Sequence, residues 1–549
     1  MKAQFEITIS GRYLHLPVKV GAQPLRLRLL YMNKVVREFE MKFAYKEPDF
    51  WVFWVFSDVS IYRGRRIVVE IEDSNFPYNT ADHIIQSDHL DNRLYPNLYR
   101  EPYRPQFHFT SRRGWINDPN GLVYYGGEYH LFYQHNPYGC KWGDMHWGHA
   151  VATDLLHWKE LGEALEPDEM GTIWSGSAVV DWKNTAGFQT CDKPPLVLIY
   201  TSAGDTSPLS RGKPFTISIA YSNDSGRTWT KYEKNPVLPN IVGQNRDPKV
   251  FWHEPSQQWV MVLYLDKNDY GLFSSPNLKE WEELCRITIP EASECPDMFE
   301  LPINGDRWSS KWVFWVADGR YVLGSFNGEK FERETEPQRL SWGDSYAAQT
   351  WNDIPPEDGR RLQIAWLKIK NGAPNMPFSQ QMTFPCALTL HKTRGGLRLF
   401  GEPVKEIQKL HGRRLVKENF YLSGRMDLTK GLSSDLLDVR VEFQIEAGSE
   451  FGLIIRGIPV TYNVMSERIT CLNRSAPLKP NDGKIRLQVL VDKTSIEVFG
   501  NDGAIILSVG AIFDSSDRLL EAYSRGGKTK VKLLEIYELS SVWREQDAD

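Results

Sequence analysis

Three carboxylates stand in settings that suit bond-breaking chemistry. Asp118 lies in Trp115-Ile116-Asn117-Asp118-Pro119-Asn120-Gly121, Asp247 in Arg246-Asp247-Pro248, and Glu294 in Glu294-Cys295-Pro296-Asp297. Each sits beside proline or one residue from it, which limits the backbone where the carboxyl is carried. Pro119 pushes Asp118 towards an extended conformation and Gly121 frees the chain to turn, so a rigid corner is expected ahead of Leu122-Val123-Tyr124-Tyr125. A carboxylate on a corner flanked by amides and a ring is what sugar chemistry needs. The ring stacks on the sugar face, the amides read hydroxyls, and the carboxylate attacks or stabilises a cation. For that heptapeptide alone, an ordinary Asx turn capped by Pro and Gly is an equal explanation.

Breaking a glycosidic bond takes one carboxylic acid to protonate the leaving oxygen and one carboxylate to meet the developing oxocarbenium ion. Glu294, next to the small apolar Cys295-Pro296, is expected to have its pKa raised and so to suit the acid/base task. Arg246 is expected to hold Asp247 ionised, fitting it to grip hydroxyls and stabilise positive charge.

The heptapeptide closely resembles the sucrose/fructan signature of glycoside hydrolase family 32, the invertase, inulinase and levanase family. Four more stretches match that family's motifs in its order: Phe132-Tyr133-Gln134-His135-Asn136-Pro137, Trp174-Ser175-Gly176-Ser177, Arg246-Asp247-Pro248 and Glu294-Cys295-Pro296-Asp297. The resemblance spans roughly residues 105 to 540. It implies release of terminal β-D-fructofuranosyl units from sucrose, fructo-oligosaccharides or fructans by a retaining double displacement. Asp118 would be the nucleophile, Glu294 the acid/base and Asp247 the transition-state stabiliser. It also implies that Asn117, Gln134, Trp142, Trp174, Ser175, Arg246 and Trp366 line the pocket for the terminal fructosyl unit, with Trp142 and Trp366 as walls. Both of these tryptophans read as strand residues, where a core role competes. The stretch Gly343-Asp344-Ser345-Tyr346 departs from the family, which usually has an aromatic at the place of Ser345, so a different pocket rim is expected.

The elements that must carry these residues read as β. At 549 residues the chain calls for two to four domains. Residues 106–390 hold many short aromatic or β-branched runs, such as 128–134, 195–201, 259–265, 312–317 and 362–368, separated by Gly, Pro, Asn and Asp. The motifs recur at 115, 174, 246, 294 and 342, close to the length of one four-stranded propeller blade with long loops. An all-β fold follows: a five-bladed β-propeller, the architecture the resemblance also implies, in which distant carboxylates meet at a central funnel.

Residues 1–100 read as a small N-terminal β domain. Leu25, Leu27 and Leu29 alternate with Arg26 and Arg28, and Ile67, Val69 and Ile71 with Val68 and Glu70. The run from Phe50 to Phe56 reads as a strand buried on both faces, with an interaction surface as the alternative. Residues 82–105, with Pro96, Pro102 and Pro105, read as a linker. Residues 395–549 begin with a helix-compatible connector near 402–411 and continue as alternating β, as in residues 484–491, resembling the family's C-terminal β-sandwich. Asp492 and Glu497 there are expected to be solvated strand-end carboxylates.

With 65 Lys+Arg against 70 Asp+Glu the chain is mildly acidic, which argues against nucleic acid or an anionic membrane as partner. Its partner is expected to be a sugar, and monomer and dimer stay open. Six scattered cysteines without a CxxC pair indicate neither a zinc site nor a disulfide framework, no HExxH occurs, and no cofactor is implied. No apolar leader segment is visible, so a cytoplasmic protein is expected. The rival readings are a fructosyltransferase using the same three carboxylates, a propeller hydrolase acting on arabinose or xylose polymers, a non-catalytic sugar-binding propeller, and a metal-dependent hydrolase.

Overall fold

The computed structural model describes residues 3–19, 21–44, 52–72, 83–90, 93–95, 97–370, 372–446, 449–513 and 519–543. Among the described residues strands make up 57% against 3% helix, so the all-β expectation holds.

The N-terminal unit is built from two small sheets. One orders Ala3–Thr8, Arg66–Ile71, Leu25–Tyr31 and Lys34–Met41, and the other orders Val52–Asp58, Tyr13–Lys19 and Ile85–Ser87. The alternation expected from the sequence is present: Leu27 and Val69 are buried between the sheets, while Arg28 reaches across the other face to Glu38 and Glu70 at 2.7 and 2.9 Å. Two expectations need correction. Val52–Asp58 lies at a sheet edge, with Val55 and Phe56 buried but Phe53 and Trp54 only partly covered. The stretch expected to be a linker supplies the strand Ile85–Ser87, held by polar contacts that hydropathy does not register: Gln86 accepts from Ser10 N at 2.8 Å, and Ser87 Oγ meets His15 Nε2 at 2.8 Å. Phe50, Trp51, Asp82 and Pro96 lie outside the described residues.

Five antiparallel units follow, each opened by a strand at the molecule's centre. Those inner strands are Gly114–Tyr125, Thr172–Val180, Arg246–His253, Asp297–Ile303 and Ser345–Thr350, and the motif residues sit at or just before their starts. The ring closes by pairing across its ends, with Phe378–Ser379 lying parallel to Gly114 and Trp115. Asn352 ties four blades at the axis: its backbone exchanges bonds with Leu122 and Tyr124, and its Nδ2 donates to Ala178 O at 2.8 Å and Val250 O at 2.9 Å. Buried amide donors satisfied this fully fix the inner strands against one another. The fifth blade includes Gly396–Pro403, which pairs along Cys386–Thr393.

After a 3-10 turn over Lys405–Leu410, where the sequence admits a helix, the chain forms a sandwich whose long strands His411–Asp427 and Leu520–Leu539 pair. Its strands Lys484–Val491, Ser495–Gly500 and Ile505–Gly510 fall where alternation and the Asp-Gly turn place them. The expectation for Asp492 and Glu497 fails. Both are fully buried, and they hold His108 between them, Nδ1 at 2.8 Å from Asp492 and Nε2 at 2.7 Å from Glu497. They face a neighbouring domain, not water, which strand period cannot reveal.

Candidate active site

Each motif strand except the fourth is interrupted by a β-bulge near the funnel. Register shifts fall between Ile116 and Pro119, Trp174 and Gly176, Arg246 and Lys249, and Tyr346 and Gln349. A bulge leaves one residue unpaired and re-aims its side chain, which is how an inner strand can turn a carboxyl into the funnel. Asp118 therefore stands on a bulge within the continuous strand Gly114–Tyr125, not on a turn ahead of it. Pro119, which cannot donate to the ladder, marks the spot. Asp247 and Cys295 both precede a proline and both have left-handed backbones, with φ of 61° and 52°. Strain of this kind persists only where the surroundings enforce it. Thr201 helps to enforce it at Asp247, accepting from Asp247 N at 3.0 Å while donating to Ser175 O at 3.0 Å.

The structure brings the three carboxyls to one place. Ser175 Oγ donates to Asp118 Oδ2 at 2.8 Å. The Cys295 thiol lies between two of them, 3.7 Å from Asp118 Oδ2 and 3.4 Å from Asp247 Oδ2, and Cys295 N donates to Asp247 Oδ2 at 3.2 Å. Arg246 donates from Nη2 and Nε to Glu294 Oε2 at 2.5 and 3.2 Å, and the Tyr346 hydroxyl donates to Glu294 Oε1 at 2.9 Å. The Arg246 guanidinium also lies 4.6 Å from the Tyr264 ring centroid.

The electrostatics reverse the expectation for Asp247. Burial, helped by the charges of Glu294 and Asp118, raises it to about 7 against the lowering pull of Arg246. Arg246 stands 3.7 Å from Asp247 Oδ2 and spends its hydrogen bonds on Glu294, so it does not keep Asp247 in the ordinary carboxylate range. Asp118 is also raised, by burial first and by Glu294, with Ser175 and Asn117 opposing. Crowded carboxylates cannot all ionise at their ordinary pKa, so this cluster retains a proton near neutrality. Burial lowers Lys368, although Asp118 and Glu294 pull the other way.

The remaining expected residues are held by contacts on and between the motif strands and loops. Asn117 Oδ1 accepts from Trp115 Nε1 at 3.0 Å, and buried Gln134 donates to Ile173 O at 3.0 Å. Trp174 Nε1 donates to Thr172 at 3.1 Å, while its ring meets Trp142 edge to face at 5.8 Å. Trp366 packs edge-on against Trp115 at 6.0 Å and Tyr346 at 6.4 Å. Trp366 is in a strand as read, but Trp142 lies in the loop after Glu128–Asn136 and is 54% exposed. Cys295 and Tyr346 were not among the expected site residues. Both stand inside the motif stretches, where Cys295 looks like an apolar neighbour of Glu294 and Tyr346 follows the atypical Ser345. Lys368, over the Tyr346 ring at 3.6 Å, had no signal.

Paired carboxyls at a funnel rimmed by aromatic rings define a glycosidase-type site on a five-bladed propeller. A family model described as the glycosyl hydrolases family 32 N-terminal domain matches residues 108–403, and one for that family's C-terminal domain matches residues 406–538. The chain belongs to glycoside hydrolase family 32. It is 41% identical over 495 residues to a levanase of Bacillus subtilis (strain 168), covering 81% of this chain and 72% of that protein. It is 32% identical over 520 residues to an extracellular exo-inulinase of Aspergillus awamori, covering 81% and 96%. The crystal structure of exo-inulinase from Aspergillus awamori superposes with a TM-score of 0.73 at 30% identity, over 81% of this chain and 100% of that one. Fructofuranosidase from Schwanniomyces occidentalis complexed with fructose gives 0.73 at 28% identity, over 80% and 98%.

Proposed function

We propose that this hydrolase releases terminal β-D-fructofuranosyl units from fructans and sucrose by a retaining double displacement. The convergence of Asp118, Asp247 and Glu294 on one funnel carries the reading, and relatives named levanase, exo-inulinase and fructofuranosidase support the substrate class. Asp118 is the nucleophile: it sits on a strand at the axis, and Ser175 and Asn117 orient its carboxylate.

Glu294 is the acid/base. It precedes the strand Asp297–Ile303, and its side chain is 31% exposed against 4% for Asp247, so it can meet both a departing oxygen and an entering water. Asp247, deep in the funnel and fixed by Cys295 N, grips sugar hydroxyls and stabilises the cationic transition state. Arg246, Asn117, Gln134, Trp174, Ser175, Trp142 and Trp366 complete the pocket.

Incubating the protein with sucrose, inulin and levan without added metal tests this reading. Free fructose from at least one is expected. No release across a broad pH range contradicts hydrolysis, and glucose from sucrose in clear excess over free fructose points instead to fructosyl transfer.

A further inference from the structure

The N-terminal β unit, which lies outside both family models, is fastened to the funnel end of the first blade. Phe39 stacks on Tyr138 at 3.7 Å with planes 12° apart, and Tyr138 is part of the unit's own apolar core. Arg113 lies 3.4 Å over the Phe56 ring and donates to Phe56 O at 2.8 Å, while Glu40 N donates to Asp144 Oδ2 at 2.6 Å. Stacked rings, a desolvated cation and a charge-assisted bond along one seam make the unit a fixed wall.

That wall stands at the carboxylate end of the propeller. Trp115 pairs with Asn136 in the first hairpin, so the loop that follows Asn136 returns to the end where Asp118 is carried. The loop and the N-terminal unit enclose a cavity of about 510 Å³, lined by Lys42 and Phe53 from the unit and by Lys141, Trp142 and Asn375 from propeller loops. The volume is in the range of small-molecule sites, about 300–1,000 Å³, and the mixture of rings with a few polar groups is what such sites use.

The cavity adjoins the fructosyl pocket at three points. Trp142 lines it while its ring meets Trp174. Thr172 lines it and accepts from Trp174 Nε1. Phe378 and Ser379 line it and pair with Gly114 and Trp115, on the strand that carries Asp118. A large aromatic exposed at such a junction marks an interaction surface, which accounts for the exposure of Trp142.

We infer that this cavity binds the fructosyl units of a fructo-oligosaccharide or fructan chain on the leaving-group side of the cleaved bond, so that the N-terminal unit favours chains over sucrose. The inference rests on the fructosidase reading above. With the terminal fructose held by the three carboxyls, the rest of the chain has to leave through the funnel mouth, and the cavity lies along one side of that exit. Phe53 and Trp142 offer faces to the sugar rings, and Lys42, Lys141 and Asn375 offer donors to their hydroxyls.

Steady-state kinetics of Lys42→Ala and Phe53→Ala on sucrose, levan and inulin test it. Binding on the leaving-group side predicts that either variant raises KM for at least one polymer by about five-fold or more, with kcat and the sucrose constants within about two-fold of wild type. Phe53 also packs against the core of its unit, so if Phe53→Ala fails to fold, Lys42→Ala decides. Wild-type enzyme that hydrolyses these substrates while the variants leave both polymer KM values unmoved overturns the inference alone, as does an equal loss on sucrose and polymer. Wild-type enzyme that releases no fructose from any of them overturns the proposed function and this inference with it.

Discussion

Arg246 places Nη2 2.5 Å from Oε2 of Glu294 and Nε 3.7 Å from Oδ2 of Asp247, so a single guanidinium ties the open carboxyl of the funnel to the buried one. Replacing it leaves Glu294 with the Tyr346 hydroxyl and leaves Asp247 with one cation fewer to offset its burial. Arg246→Ala is expected to lower kcat/KM on sucrose about 100-fold, roughly 2.7 kcal/mol of transition-state stabilisation. A fall of less than about three-fold would show that the guanidinium plays no part in catalysis.

The proton retained by the carboxylate cluster should show in the pH dependence. Burial beside two other carboxyls raises Asp247 to about 7, so the cluster as a whole, and not one carboxyl, holds that proton in the free enzyme. Above that pH the cluster has lost the proton that the leaving oxygen needs, so kcat/KM should fall along an alkaline limb near neutrality. Asp247→Asn removes one negative neighbour, so the limb of its residual activity should move to more acid pH. A limb at the same pH in this variant would place the proton elsewhere.

Much of the fold can be read from the chain because its signals are local. Lys484–Val491 alternates apolar and polar residues without interruption, and the strand lies where that period puts it. Motif spacing located the five inner strands because each blade repeats the same requirement at the axis. Properties set by neighbours distant in sequence were hidden. In sequence the adjacent Arg246 points to an ionised Asp247, but burial against two carboxylates separated from it by about fifty residues or more governs it. Asp492 and Glu497 look solvated in sequence because His108, nearly four hundred residues away, cannot be paired with them by period. The Asp118 corner was found, but a bulged strand and a turn carry the same Pro and Gly marks.

The His108 clasp predicts a pH-dependent junction between propeller and sandwich. Burial pulls His108 down, but hydrogen bonds to Asp492 and Glu497 outweigh it and raise the imidazole to about 9. A raised histidine contributes stability that is fully present below its unfolded pKa, about 6.5, and is lost as pH rises through about 9. Asp492 is lowered, so its contribution is present above the ordinary carboxylate pKa and fades in acid. The clasp's contribution to stability should therefore be greatest between about pH 4 and 6.5 and should decline towards pH 9 by an amount on the order of 3 kcal/mol, read as a falling Tm. His108→Gln leaves two buried carboxylates without their cation, which costs about 3–5 kcal/mol, and should flatten that decline. An unchanged slope in the variant contradicts the clasp.

Asp118→Asn and Glu294→Gln each change one charge without changing shape. Either should remove nearly all turnover with Tm within a few degrees of wild type, because nothing nearby replaces a nucleophile or a proton donor. Retention of more than about a tenth of wild-type kcat, a loss under ~1.4 kcal/mol of barrier, would remove that residue from its role.

Retention at the anomeric carbon follows from Asp118 acting as a nucleophile, since two inversions restore the β configuration, whereas direct attack by water inverts it once. NMR of the first fructose released from sucrose, recorded before mutarotation, measures this directly. β-Fructofuranose as the initial product is the expected result, and α-fructofuranose appearing first would contradict the covalent mechanism and the assignment of Asp118.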